Sequence, residues 1–120
     1  MIMTHKTNVQ LLGLIDLLRE NSRKQDAHIW NRIASDLAKP TRQRRLVNIY
    51  KLNKYTKENE TVIVPGKVLG TGEILHKLNV AAFSFSDGAK EKIIKAKGQC
   101  FTIPELLQKN PKGQDVKILG

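Results

Sequence analysis

The chain has little of what secreted proteins and membrane proteins need. Its single cysteine, Cys100, cannot form a disulfide within the chain, and this favours a reducing compartment. Its apolar runs are short and broken by charge, far below the roughly 20 apolar residues that span a bilayer. The N-terminal residues lack the adjacent basic and apolar regions of a secretory signal. We therefore expect a cytoplasmic protein with no membrane partner.

Groups typical of catalytic and metal sites are also scarce. The three histidines, His5, His28 and His76, are scattered, and none stands at metal-ligand spacing from another histidine or from the cysteine. No pair of acidic residues marks a catalytic cleft. The sequence therefore predicts no enzyme and no small-molecule substrate.

The glycines between residues 66 and 72 do not form a known nucleotide-binding motif. A phosphate-binding loop needs a glycine where Thr61 stands and a serine or threonine where Val68 stands. The dinucleotide fingerprint fails because no third glycine follows Gly70-Thr71-Gly72 at the required spacing. Mononucleotide hydrolysis is not expected.

Positive charge is what the chain has in excess, and it is concentrated. The 21 lysines and arginines exceed the 11 acidic residues, which gives a net charge of +10. Residues 39–57 carry seven basic residues and no acidic one. A solvated helix face is the alternative interpretation, but such faces usually intersperse acids to relieve repulsion. The segment favours a polyanionic partner, and nucleic acid fits best.

The basic segment runs into a glycine-rich stretch, ETVIVPGKVLGTG, at residues 60–72. Glycines allow backbone N–H groups to approach an anion closely, and Lys67 adds a positive charge. A tight connection that needs its glycines for conformation alone is the other interpretation. The two interpretations are compatible, because one loop can be both tight and RNA-facing.

Apolar periodicity predicts two helices at the start of the chain. Thr7 or Asn8 would cap the first helix, which carries Leu12 and Leu17 at the margins of its apolar face and ends near residues 21–24. A second helix would be capped by the next aspartate, Asp26, and ended by the first proline of the chain. The apolar stripes predict that both helices pack as a hairpin around the single tryptophan.

Shorter elements follow. A third helix would bury Val47, Ile49, Leu52 and Tyr55, and a buried strand at residues 62–64 would stop at Pro65-Gly66 before a loop over residues 67–79. Further along, we expect a strand at residues 80–86. A helix would follow, capped by Ser86 or Asp87 and closed by Gly98. Another helix would begin with a Thr102–Glu105 capping box, and a strand would occupy residues 116–118.

These elements predict an α/β fold, with N-terminal helices packed on an irregular arrangement of short strands and short helices. We expect a single compact domain over residues 1–120. Residues 1–57 would be mainly helical and basic, and residues 58–120 would mix short strands and helices.

Several segments resemble one known family. They are KTN near residue 6, DLAKPTRQRRLVNIYKL at residues 36–52, ETVIVPGKVLGTG at residues 60–72, VAAFSFSDGAKEKI at residues 80–93, and the terminal NPKG turn. The chain is similar to the large-subunit ribosomal protein eighteen-e family of archaea and eukaryotes, a relative of bacterial large-subunit protein fifteen. It lacks a basic extension after Gly120, which is typical of eukaryotic members, so an archaeal member is expected.

The resemblance implies a structural constituent of the large ribosomal subunit that binds and stabilises large-subunit ribosomal RNA. Neighbouring ribosomal proteins would be its other partners, with no catalysis, no cofactor and no homo-oligomer. The alternative is a free-standing RNA-binding or RNA-modification factor, which would need a cleft with convergent acid and base groups. The candidate RNA-binding residues are Lys6, Lys39, Arg42, Arg44, Arg45, Asn48, Lys51, Lys54, Gly66, Lys67, Gly70, Thr71 and Gly72.

Overall fold

A computed structural model describes residues 2–39 and 45–119, with side-chain positions for residues 11–39 and 46–119. Helices and strands alternate through most of the chain. In order they are α1 (Ile2–Gln25), α2 (His28–Leu37), β1 (Arg45–Asn48), α3 (Ile49–Tyr55), β2 (Thr61–Leu69), β3 (Asn79–Phe85), α4 (Asp87–Lys95), β4 (Gln99–Thr102), α5 (Ile103–Lys109) and β5 (Val116–Ile118). No helix of the described segments is both long and apolar enough to cross a membrane.

The five strands form one parallel sheet. Its order is β1-β2-β3-β4, and β5 pairs with the start of β2. Strand β2 pairs with β3 along one side. Along its other side it pairs with β5 at residues 61–63 and with β1 at residues 66–69, so β5 and β1 lie end to end. The predicted α/β class is confirmed, and the strands are more regularly arranged than the sequence suggested.

The sheet separates two hydrophobic clusters. Ile63 of β2 and Ala81 of β3 pack against the α1–α2 hairpin and α5. Their neighbours in sequence, such as Val62 and Val80, point to the other face and pack against α3 and α4. This alternation follows from the two-residue period of side chains in a strand. Helices therefore cover both faces of the sheet.

The predicted hairpin is confirmed, and Trp30 lies at its centre. Trp30 is fully buried with Ile15, Leu18 and Ile33 in the cluster on the hairpin side. Its indole Nε1–H donates to the carbonyl oxygen of Pro111 at 2.7 Å, so the turn near the C-terminus closes over the hairpin. The ring is a core residue rather than an exposed stacking platform.

Three details of the hairpin differ from the prediction. Helix α1 begins at Ile2 rather than at Thr7 or Asn8, because residues 2–8 contain no glycine or proline to interrupt it. Asp26 does not cap α2; it takes a left-handed conformation (φ 51°) that aspartate tolerates, and it joins the two helices. Leu12 and Leu17 are exposed because α2 covers only one side of α1.

The strand predicted at residues 62–64 does not stop at Pro65-Gly66. Strand β2 continues to Leu69, so the loop begins at Gly70 and not at Lys67. The pairing with β3 shifts register between Val64 and Lys67. A proline lacks the N–H that a regular ladder needs, and such a bulge is where a strand accommodates one.

The third helix is shorter than predicted. It begins at Ile49, because Val47 lies in β1, where it is fully buried. Tyr55 is not buried but 49% exposed. Strand β4 was not predicted, because Cys100 and Phe101 inside it are only half-buried and give no clear alternation.

The predicted N-terminal caps of the last two helices are confirmed, whereas Lys97 (φ 67°), and not the predicted Gly98, takes the left-handed position after α4. The Ser86 hydroxyl accepts from the Ala89 N–H at 3.2 Å at the start of α4. Thr102 and Glu105 form the predicted capping box of α5. Each carboxylate or hydroxyl satisfies a backbone donor that has no partner within its helix.

Candidate nucleic-acid interface

The carboxyl ends of β1, β2 and β3 lie side by side at one end of the sheet, because the three strands are parallel and paired near their ends. We call this end the carboxyl edge of the sheet. At this edge β1 leads directly into α3, β2 leads into the glycine loop (Gly70–Gly72), and β3 leads through Ser86 into α4. Ligands of open α/β sheets commonly bind at this edge. The fold therefore brings α3 and the glycine loop together, as the predicted interface requires.

Gly72 packs tightly against the start of α3. Its backbone has φ +104°, a conformation that favours glycine, and a Cβ there would lie 2.4 Å from the Cβ of Tyr50. The Tyr50 N–H donates to the carbonyl oxygen of Thr71 at 3.0 Å. Gly72 is therefore required by contact with the protein, and Thr71 is the exposed residue of the loop.

Gly70 packs less tightly against the start of α4. A Cβ at Gly70 would lie 3.1 Å from the backbone nitrogen of Ala89 and 3.1 Å from the carbonyl carbon of Gly88. The glycine loop thus fits between the first turns of two helices. Of the two interpretations of these glycines, packing explains both residues, and it leaves the outer side of the loop open to a ligand.

Lys92 of α4 ties the glycine loop in place. Its ammonium donates to the carbonyl oxygens of Gly70 and Gly72 at 2.8 and 2.6 Å and lies 3.7 Å from a carboxylate oxygen of Glu73. Its side chain is 33% exposed. Sequence reasoning missed this residue, since no local signal links a lysine to carbonyls 20 residues earlier.

Helix α3 presents basic and aromatic side chains outward while Ile49 and Leu52 are buried. Lys51 is half-buried and Lys54 is exposed, as expected of residues that face a ligand. Tyr50 is 55% exposed, and it stands four residues before Lys54, on the same side of the helix. Alternation of aromatic and basic residues was the sequence signal that marked Tyr50, and our prediction did not use it.

The next residue of the helix face is also aromatic. The Lys54 ammonium lies 5.4 Å from the ring centroid of Tyr55, within the range of a cation–π contact. We call the outward side of α3 and the glycine loop together the α3 surface; its members are Asn48, Tyr50, Lys51, Lys54, Tyr55, Gly70, Thr71 and Gly72.

Gly66 and Lys67 do not belong to the α3 surface. Both lie within β2, where Gly66 is buried and Lys67 is exposed beside Leu46 and Ser84 in neighbouring strands. Val68 faces the α3 side of the sheet, so the adjacent Lys67 projects from the opposite face. The structure therefore separates Lys67 from the loop that follows it in sequence.

Of the remaining predicted RNA contacts, the structure describes the side chain of Lys39 alone. Lys39 is exposed just after α2, with its ammonium 3.2 Å from the Asp36 carboxylate. Arg42 and Arg44 lie outside the described residues. For Lys6 in α1 and Arg45 in β1 only the backbone is described.

The chain also matches the family described as "Ribosomal protein 60S L18 and 50S L18e" over residues 3–120. The chain belongs to this family.

Curated L18e-family proteins support the assignment across almost the whole chain. The large ribosomal subunit protein eL18 of Methanoregula boonei is 50% identical over 114 residues, which cover 95% of this chain and 94% of that protein. The protein of the same name from Archaeoglobus fulgidus is 49% identical, with 95% and 97% covered. That of Sulfurisphaera tokodaii is 46% identical over 116 residues, with 97% and 95% covered. The resemblance stated from the sequence is confirmed, and the link to bacterial protein fifteen stays a prediction.

Within residues 11–39 and 46–119, no group of three or more His, Cys, Asp or Glu side chains is placed to hold a metal ion. His76 has its Nε2 2.8 Å from the buried Thr56 hydroxyl. Burial raises the pKa of the Cys100 thiol, which opposes a role as a nucleophile.

Proposed function

We propose that this protein is a structural constituent of the large ribosomal subunit and that it binds and stabilises large-subunit ribosomal RNA through the α3 surface. Membership in the L18e family gives it the ribosomal role, the location in cytoplasmic ribosomes, and ribosomal RNA and ribosomal proteins as partners. The family is structural rather than enzymatic. The choice of surface rests on the convergence, at the carboxyl edge of the sheet, of the glycine loop and the basic residues of α3, whose segment of sequence contains no acidic residue.

The charge of the α3 surface supports a phosphate partner. No acidic residue occurs between residues 39 and 57. We call Lys51, Lys54 and Lys57 the α3 lysines; the first two belong to the α3 surface, and Lys57 is exposed two residues beyond the end of α3. Lysine ammonium groups neutralise phosphates, and this releases counterions from the RNA and drives binding at low salt.

The exposed tyrosines offer contacts to bases, which lysine–phosphate contacts do not provide. Tyr50 and Tyr55 expose about half of their surface beside lysines. Aromatic rings stack on unpaired bases, and each such contact is worth about 1–3 kcal/mol. The arrangement of charge, ring and open backbone suits RNA loops or bulges better than a regular duplex.

The arginines upstream are further proposed phosphate contacts. Arg42, Arg44 and Arg45 immediately precede or begin β1, the strand that leads into α3. The guanidinium group grips phosphate in a bidentate way, so these residues are expected to anchor the RNA backbone.

The test replaces the α3 lysines together by glutamine. Binding to large-subunit ribosomal RNA fragments is measured over a salt series. Each lost phosphate contact should reduce the slope of log K against log salt by about 0.7–0.9, so the triple variant should lose about 2–3 units. The matched control replaces three exposed lysines of the hairpin side, Lys24, Lys109 and Lys112, which we call the control lysines.

The outcome is decisive in either direction. The control variant removes the same total charge and should keep the wild-type slope. Equal losses in both variants would mean that binding follows net charge alone, and the α3 surface would then not be the interface. An α3 variant with the wild-type slope would lead to the same conclusion.

A further inference from the structure

A second basic surface lies beside the α3 surface on the same side of the sheet. The segment between β2 and β3 returns alongside α4, and the two enclose an open cleft of about 520 Å³. We call it the α4 cleft. Four lysines and two glutamates contribute to its lining, which gives a formal excess of two positive charges; they are Lys77, Lys92, Lys95, Lys97, Glu58 and Glu73.

One wall of the α4 cleft is held in place from both sides. The Leu75 N–H donates to the Asn53 side-chain oxygen at 2.9 Å, which ties the wall to α3. The contact between His76 and Thr56 adds a second tie to the end of α3. Lys92 secures the beginning of the same segment from α4. A surface fixed before binding loses less conformational entropy when a ligand arrives.

The helix dipole explains only some of the lysines that line the α4 cleft. Lys92 and Lys95 lie in the last turn of α4, where positive charge interacts favourably with the helix dipole. Lys77 lies on the opposite wall, outside any helix, so the dipole does not explain it. Lys92 is already engaged with backbone carbonyls. We call the three exposed residues, Lys77, Lys95 and Lys97, the cleft lysines.

Lys97 occupies a backbone position that lysine rarely takes. It has φ 67° and follows α4 where helices usually place a glycine, while Gly98 donates to the carbonyl oxygen of Ile93. In the described part of the chain the other non-glycine residues with positive φ are all Asp or Asn, which tolerate this region. A lysine at this position is conformationally unfavourable, so its charge at the cleft needs a reason beyond the fold.

We propose that the α4 cleft binds a further stretch of the ribosomal RNA backbone, with the cleft lysines as its phosphate contacts. This inference rests on the proposed function, and it extends the interface across the layer formed by α3, the β2–β3 segment and α4. Leu75, whose side chain is 82% exposed at the rim, adds an apolar contact for a ribose or base. An open cleft with separate ammonium groups suits an extended chain of phosphates better than an enclosed small anion.

The test replaces the cleft lysines together by glutamine in the full-length chain. All three side chains are exposed, so the melting temperature should stay near that of the wild type. The salt slope for binding to large-subunit ribosomal RNA fragments should fall by about 2–3 units, whereas the control-lysine variant should keep its slope. Reconstitution into large subunits is measured for the wild type, the cleft-lysine variant and the control-lysine variant.

The remaining outcomes separate this inference from the proposed function. If the cleft variant keeps the wild-type slope while the α3-lysine variant loses slope, the inference is overturned and the proposed function stands. If the cleft variant binds RNA normally but enters large subunits poorly, the cleft holds an acidic protein neighbour, and the RNA assignment is wrong. If the wild-type protein itself does not bind the RNA, the proposed function fails first.

Discussion

Replacing Lys92 by methionine should loosen the glycine loop without removing a phosphate contact. Methionine keeps an unbranched side chain of similar length and loses the ammonium that bonds to Gly70 and Gly72. A hydrogen bond to a charged group contributes about 1.5–3 kcal/mol, and partial exposure lets water replace some of that. We expect a loss of about 2 kcal/mol for the pair. Unfolding of 120 residues carries an entropy of about 250 cal/mol/K, so the melting temperature should fall by about 8 °C.

The assay combines thermal unfolding, followed by circular dichroism, with the salt series for RNA binding. Affinity should fall because the loop is less well fixed, but the slope should not change, since Lys92 contacts carbonyls and not phosphate. Lys90→Met is the matched control, because Lys90 is exposed on the same helix and its loss should change the melting temperature by no more than about 2 °C. A slope reduced by about 0.7–0.9 at an unchanged melting temperature would refute the reasoning and make Lys92 a phosphate contact.

Two further predictions concern packing. Gly72→Val should cost about 2–5 kcal/mol, because it adds a strained positive φ to an overlap with Tyr50. Gly13→Val should not destabilise the fold, because its Cβ would meet no atom within 4 Å beyond the backbone of its own helix; equal melting temperatures for the two variants would contradict this. Trp30→Ala should cost about 3–5 kcal/mol, and Trp30→Phe much less; an unchanged melting temperature with reduced RNA affinity would instead make Trp30 a stacking residue.

Elements with complete local signals were predictable from the sequence. Helix α5 was placed correctly because Thr102 and Glu105 satisfy each other's backbone donors within three residues. Strand β3 was placed to within one residue, because its apolar run is bounded by polar residues and by the Ser86 cap. In each case the physical cause of the element lies inside the element, so a single sequence contains it.

Features that depend on distant partners were not predictable. Pro65 looks like the end of a strand, and only the bulge formed against β3 shows why β2 continues. Strand β4 forms because it pairs with β3, although its own side chains are only half-buried. Lys92 contacts the glycine loop only because the fold places α4 beside that loop. The sequence contains these residues but not their distances.

Contacts within the protein account for most of the PGKVLGTG block at residues 65–72. Gly70 and Gly72 have no side chain because α4 and α3 occupy that space, and the Pro65-Gly66 pair lies at a bulge of β2. Lys67 projects from the other face of the sheet. Most of the block is thus determined by contacts within the protein, and in our proposal it is not the centre of the interface. Of its side chains, Thr71 is the one exposed at the loop, so the proposed RNA contacts lie mainly in the segments on either side of it. That is why the lysines of α3 and of the α4 cleft, rather than the glycines, are the residues whose replacement should change the salt dependence of binding.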